Sequence, residues 1–136
     1  MKQRFFAWLY NPLRDDELLS RHYDRGIYKK YYQSGAIETP FGRKMKVEEK
    51  KALNYLIQST TSDTVIDRVF EIMQFLEDYR SFISFTLHDS VVLDVSRDEY
   101  NIVPKVKKMF ENSSFGVLKS TAKIGKNFSD LRELDI

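Results

Sequence analysis

One stretch limits the folds open to this chain more than any other, the run SFISFTLHDSVVLDV from Ser81 to Val95. Two short apolar runs, Phe82 to Leu87 and Val91 to Val95, enclose the polar triplet His88-Asp89-Ser90. β-branched and aromatic residues dominate both runs, which suits strands, and a polar break between two such runs predicts a β-hairpin. Its tip would carry Asp89 on a stiff scaffold with the carboxylate facing outward, a good way to present a hard oxygen ligand to Mg²⁺. The same triplet also suits a plain turn, because Asp and Ser side chains bond readily to the backbone of a bend.

Around the hairpin the pattern is mainly helical. The start, MKQRFFAWLYNP, is dense in aromatics and ends on the turn signal Asn11-Pro12. On a helix, Lys2, Phe6 and Tyr10 fall at i, i+4 and i+8 and share one face. No capping residue precedes the first apolar turn, so the segment reads as the second half of a helix. A nine-residue piece is too short to be stable alone, since isolated helices below ~12–15 residues are marginal in water. It is therefore expected to dock on a partner through Phe5, Phe6, Trp8, Leu9 and Tyr10. Leu13 to Gln33 predicts a second helix, with Asp15, Asp16 and Glu17 at its N-terminal end, Gly26 as an interior weakness and Gly35 at its terminus. Ala36 to Lys46 predicts a short β excursion bending near Pro40 and Gly42.

The longest helix is expected from Val47 to about Tyr79, with Val65, Val69, Ile72 and Leu76 as its apolar stripe. Its middle, Gln58 to Asp63, is a run of small and polar residues where stronger helix formers would be more stable. Such a run lets another backbone come close and is expected to face nucleic acid. Asn54 and Gln58 lie four apart, so both amides project from one face and can bond bases or sugars without opposite charge. After the hairpin, Ser96-Arg-Asp-Glu99 matches a capping box opening a helix to about Asn112, which Pro104 should kink. Val117 to Ile124 is expected to return as a third strand beside the hairpin, and the tail from Ser129 is mixed and acidic.

Composition narrows the chemistry. The 136 residues suffice for a single domain with a real core, and 42% hydrophobic with 31% charged residues is ordinary for a globular chain. No apolar run approaches a membrane span and no signal-peptide pattern opens the chain, so no membrane is expected. Cys is absent, which excludes disulfides and thiolate zinc sites and fits a reducing cytoplasm. With only His22 and His88, any metal should be held by oxygen. A net charge of +2 does not announce a nucleic-acid binder, but the basic residues cluster. Arg43, Lys44 and Lys46 form one group, Lys50 and Lys51 a second, and Lys119, Lys123 and Lys126 a third. Lys105, Lys107 and Lys108 read as a solvated face.

In order along the chain, five segments resemble the C-terminal part of family A DNA polymerases, especially those of bacteriophages. Lys2-Gln-Arg-Phe-Phe-Ala-Trp-Leu-Tyr10 resembles the back half of the motif B helix, K-x-x-x-F-G-x-x-Y. Thr39-Pro-Phe-Gly-Arg-Lys44 resembles the T-x-x-G-R-R turn. Ala52-Leu-Asn-Tyr-Leu-Ile-Gln58 with Asp63 resembles the A-x-N-x-x-x-Q-x-x-x-x-D helix. Leu87-His-Asp-Ser90 resembles motif C, V-H-D-E, and Gly125-Lys-Asn-Phe128 the closing G-x-N-W/F.

The resemblance implies an α+β fold: helices packed on a small antiparallel sheet with a central β-hairpin, the polymerase palm, plus residual fingers helices. Residues 1–46 would be partial fingers and 47–136 palm. Lys2, Phe6 and Tyr10 would bind the incoming dNTP. Arg43, Lys50, Asn54, Gln58 and His88 would contact primer–template DNA, with His88 at the primer end. Asp89 would be a catalytic metal ligand, one of two aspartates holding a Mg²⁺ pair. Three departures stand out: Ser90 replaces the usual Glu, and Ala7 and Asn11 stand where glycines are common. Motif A, with the other metal-binding Asp, is missing. The resemblance therefore implies a C-terminal part of a split polymerase, cytoplasmic (in the host if viral) and inactive without a partner chain carrying motif A. The alternative is a non-catalytic DNA-binding or accessory remnant of the same fold.

Overall fold

A computed structural model describes residues 2–11 and 13–136. Met1 and Pro12 lie outside them, so the missing cap and the turn signal are described only from Lys2 and from Asn11. The chain divides into two compact units, Met1–Thr61 and Ser62–Ile136, with the boundary inside one long helix.

The first unit opens with helix α1, Lys2–Tyr10, as the aromatic spacing predicts. The single helix expected over Leu13 to Gln33 does not form. It is replaced by α2, Glu17–His22, a 3₁₀ turn at Arg25–Lys30 and strand β1, Tyr32–Gln33. Local side chains break it: Asp16 caps α2 by accepting from the Leu19 amide, and Asp24 accepts from the Gly26 amide at 2.7 Å, starting a new turn. Gly35 does not end a helix either. Ser34 (φ 52°) and Gly35 (φ 78°) are the two left-handed residues of a hairpin turn joining β1 to β2, Ala36–Glu38.

Strand β3, Lys44–Lys46, pairs antiparallel with β2 and completes a three-stranded sheet ordered β1-β2-β3. The bend between them follows from its residues. The Gly42 amide donates to the Thr39 carbonyl at 2.8 Å, with Pro40 at the position where its fixed φ is favoured and Gly42 at φ 81°. Helix α3, Glu49–Phe75, then begins. Ile37, Ala52 and Leu56 form the core of this unit, with Tyr28, Tyr31, Tyr32, Met45 and Val47 packed round them.

In the second unit, Ile72 of α3 and Leu76 just beyond its end share a core with Ile102 and Val106. The Gln58–Asp63 run stays helical, and the helix ends at Phe75, earlier than the expected Tyr79. Strands β4, Phe82–Leu87, and β5, Ser90–Asp94, form the expected hairpin. The capping box is not used as one. Ser96 makes no cap bond and Glu99 turns to Ser81; a 3₁₀ turn at Arg97–Ile102 leads into α4, Val103–Glu111. Pro104 sits in the first turn of α4, where its missing N–H is needed by no bond, so it starts this helix rather than kinking it.

Nor does Val117 to Ile124 add a strand to the hairpin. β6, Asn112–Ser113, pairs with β7, Gly116–Val117, and β8, Ala122–Ile124, pairs with β9, Arg132–Leu134. Among the described residues the sheets are therefore four small antiparallel ones rather than one, in a mixed helix-and-strand fold compatible with α+β.

Candidate functional site

Helix α1 has two unlike sides. Trp8 is 1% exposed, with its ring 6.1 Å from Phe5 and 6.4 Å from Tyr23, and Phe5 lies edge-on to Tyr23 at 5.1 Å. Phe6 and Tyr10 are 40% and 41% exposed and stack nearly parallel, 7° apart with centroids at 6.0 Å. The Lys2 ammonium lies 6.0 Å from the Phe6 centroid. The Lys2, Phe6, Tyr10 face is thus the one left open, and Trp8 is packing.

Residues of its own unit already brace α1. Arg4 forks onto Asp16, Nε to Oδ2 at 2.5 Å and Nη2 to Oδ1 at 2.9 Å. Donation from Arg4 holds the Asp16 carboxyl below its ordinary range. Arg25 seals the other end by bonding carbonyls there and lying 4.8 Å from the Trp8 ring. Neither arginine was singled out from the sequence, and no spacing rule links position 25 to position 8.

On the part of α3 in the same unit, the Gln58 amide donates to Asn54 Oδ1 at 3.0 Å, so the two amides share a face as the spacing predicts. Each keeps polar capacity for a further partner. The run beyond Gln58 does not all face outward: Ser59 is buried, its hydroxyl 3.5 Å from the Met45 sulfur, and Asp63 and Thr64 are buried too. Small side chains here let β3 approach the helix, so part of the run expected at DNA serves the protein's own packing. Gln58, Thr61 and Ser62 remain exposed. Arg43 is exposed beside the Thr39–Gly42 bend, its amide donating to Thr39 Oγ1, and Lys50 pairs with Glu48 at 2.9 Å.

The hairpin carries His88 and Asp89 as its two-residue tip, both exposed, between the paired Leu87 and Ser90. His88 adopts φ 53°, a left-handed conformation that an L residue other than Gly rarely takes. Ser90, where the resemblance leads one to look for Glu, donates its hydroxyl to the Leu87 carbonyl at 2.7 Å and closes the turn. A register shift at Ile83/Phe85 leaves Ser84 as a bulge, a device that re-aims the rest of the strand.

Two fixings hold this hairpin, and neither is visible in the linear pattern. At its base, Glu99 accepts from the Arg80 amide at 3.0 Å, the Ser81 amide at 2.8 Å and the Ser81 hydroxyl at 2.6 Å. These donors hold the Glu99 carboxyl below its ordinary range. Ser81 Oγ in turn accepts from the Ser96 amide at 2.9 Å, tying the entry of β4 to the exit of β5. On its flank, Phe85 meets Phe128 at 5.8 Å. Phe128 is presented by a tight turn in which Asn127 Oδ1 accepts from the Ser129 and Asp130 amides. A Cβ on Gly125 would lie 2.7 Å from the Asp130 carbonyl oxygen, which is why glycine stands there.

Among the described residues no three His, Cys, Asp or Glu side chains are grouped to hold a metal. Asp89 stands at the hairpin tip as a single exposed carboxylate. None of the expected site residues lines the cavity of about 470 Å³ among Pro104, Lys107, Lys108, Glu111, Asn112, Val117 and Ile136. Among the described residues no helix is long and apolar enough to cross a membrane.

No protein-family model matches the chain, and no solved structure does. A DNA polymerase of Bacillus phage SP01 is 35% identical over 102 residues, covering 65% of this chain. The chain spans 11% of that polymerase's length. Over the matched stretch the protein is related to a DNA polymerase of a bacteriophage.

Proposed function

We propose that this chain is the C-terminal segment of a split family A DNA polymerase, with partial fingers over residues 1–46 and palm with the motif C hairpin over 47–136. The observation that carries the reading is the match to a phage DNA polymerase. The exposure of Lys2, Phe6 and Tyr10 on the side of α1 opposite Trp8 supports it. So does the placement of His88 and Asp89 at a braced hairpin tip.

In this reading Lys2 neutralises the phosphates of the incoming dNTP, and the Phe6–Tyr10 stack receives its base and sugar. Arg43 and Lys50 contact the DNA backbone, Asn54 and Gln58 the minor groove, and His88 the primer end. Asp89 supplies one carboxylate to Mg²⁺, which when bound offsets phosphate charge and lowers the cost of deprotonating the primer 3′-hydroxyl. The remaining carboxylate comes from a partner chain with motif A, in the cytoplasm of the host.

One observation favours a second reading, a non-catalytic DNA-binding remnant: the Ser90 hydroxyl is spent on closing the turn and adds no charge at the tip. Primer extension separates the two. The purified chain alone should not extend a primer, and mixing with a polypeptide carrying the motif A aspartate should give dNTP- and Mg²⁺-dependent extension. Asp89→Asn should abolish extension and leave melting, partner binding and DNA binding unchanged, because the amide keeps the shape and removes the charge. Robust extension by the chain alone would remove the split-enzyme reading, and near wild-type extension by Asp89→Asn the catalytic assignment.

A further inference from the structure

Helix α1 ends at Tyr10, and the Asn11 carbonyl just beyond it accepts from the Arg14 amide at 3.0 Å. The last turn of α1 has no basic residue, and the last carbonyls of a helix have no partner within it. Arg25, seventeen residues on from Trp8, supplies what is missing. Its Nη1 lies 3.0 Å from the Trp8 carbonyl, 3.2 Å from that of Asn11 and 3.1 Å from that of Arg14. Nη1 carries two hydrogens for these three acceptors, so one hydrogen is shared, and the positive charge sits at the negative end of the helix dipole. The guanidinium plane also covers the Trp8 ring at 4.8 Å. Arg25 itself is held in place, because Asp24 Oδ1 accepts from the Gly26 amide and fixes the backbone on both sides of it.

We infer that Arg25 is a positioning residue for the nucleotide face of α1, acting through Tyr10; the inference rests on the reading of Lys2, Phe6 and Tyr10 as dNTP contacts. Tyr10 is the last residue of α1, and its ring stacks on Phe6 only while the final turn stays helical. Nine residues do not keep that turn closed by themselves. Arg25 binds the carbonyls on both sides of Tyr10, at Trp8 and Asn11, and so holds the stack ready before the nucleotide arrives. Removing it leaves the face fractionally formed, and apparent affinity falls by that fraction.

The test is a double-mutant cycle in the assembled polymerase. Arg25→Ala should raise KM for dNTP about tenfold and leave kcat and the DNA dissociation constant within about twofold. In a Tyr10→Ala background the same change should raise KM little further, because the residue through which Arg25 acts is gone. Arg25→Lys should recover part of the loss, since it restores the charge without the planar cover. Trp8 is the sole tryptophan, so its fluorescence reports the contact in the chain as purified. Acrylamide should quench Trp8 more readily in Arg25→Ala. This second readout keeps the test open where Arg25→Ala assembles poorly, and quenching as in the wild type would overturn the inference. Unchanged KM in Arg25→Ala, alongside raised KM in Lys2→Ala and Tyr10→Ala, would overturn it and spare the nucleotide reading. Additive losses of kcat and KM in the cycle would make Arg25 merely structural. Unchanged KM in Lys2→Ala and Tyr10→Ala would overturn both.

Discussion

Replacing His88 with glycine should make the protein more stable and, in the proposed reading, primer extension worse, and the backbone of the hairpin tip says why. His88 is held at φ 53°, where Cβ crowds the following carbonyl of an L residue. That conformation costs roughly 1–2 kcal/mol, whereas glycine adopts it freely. Glycine gives back about 0.5–1 kcal/mol, because it loses more freedom on folding. The net gain is about 0.5–1 kcal/mol, a rise in Tm of roughly 1–4 °C for a chain of this size. The native ring returns nothing visible for that strain: it is exposed at the tip, and backbone strain of this kind collects where a side chain must be aimed for function. His88→Ala is the matched comparison, since it removes the ring and keeps the strain. Ser34→Gly is the control, because Ser34 holds φ 52° in a turn assigned no part in the site. Thermal melting of the three variants, with single-turnover primer extension by the assembled enzyme, gives the answer. Ser34→Gly should stabilise without loss of rate. His88→Gly should stabilise and lose rate, and His88→Ala should lose rate alone. Destabilisation by His88→Gly would refute the argument from strain, and an undiminished rate would show that the strained histidine is not aimed at the primer end.

Three further outcomes follow from the contacts described. Lys107, at 2.8 Å, and then the Ser120 amide hold the Glu111 carboxyl at about 2, so its contribution is complete above about pH 5 and is lost as pH falls toward 2. Glu111→Gln should lower Tm at neutral pH and flatten its fall over that interval; an unchanged Tm–pH curve would deny Glu111 this role. Gly125→Ala pushes a Cβ against the Asp130 carbonyl, backbone that must move, at a cost of about 1–3 kcal/mol. It should lower Tm by roughly 3 °C or more, and a melt within one degree of the wild type would mean that the turn yields freely. Gln58→Ala should weaken primer–template binding by the assembled enzyme roughly three- to tenfold at fixed salt without changing the melt. An unchanged dissociation constant would make the Asn54–Gln58 pair structural.

Elements built from contiguous residues were legible in the chain. The hairpin followed from two β-rich runs, α1 from its aromatic spacing, the Thr39–Gly42 bend from its proline and glycine, and most of α3 from its stripe. The shared faces of Asn54 with Gln58 and of Phe6 with Tyr10 followed as well, because helical periodicity is a local property. Wherever two local signals competed, tertiary contacts chose between them. Ser96 and Glu99 fitted a capping box, but Glu99 finds three donors at Arg80 and Ser81, and a carboxylate bonded three times outweighs a single cap. The Gln58–Asp63 run was legible as an invitation to close approach, yet only the fold decided that β3 approaches at Ser59 through Met45. The sequence could show that α1 is too short to stand alone. It could not show that Asp16 and Arg25 of the same unit support it, because those bonds join residues twelve to seventeen positions apart, at spacings that no helical or strand period relates.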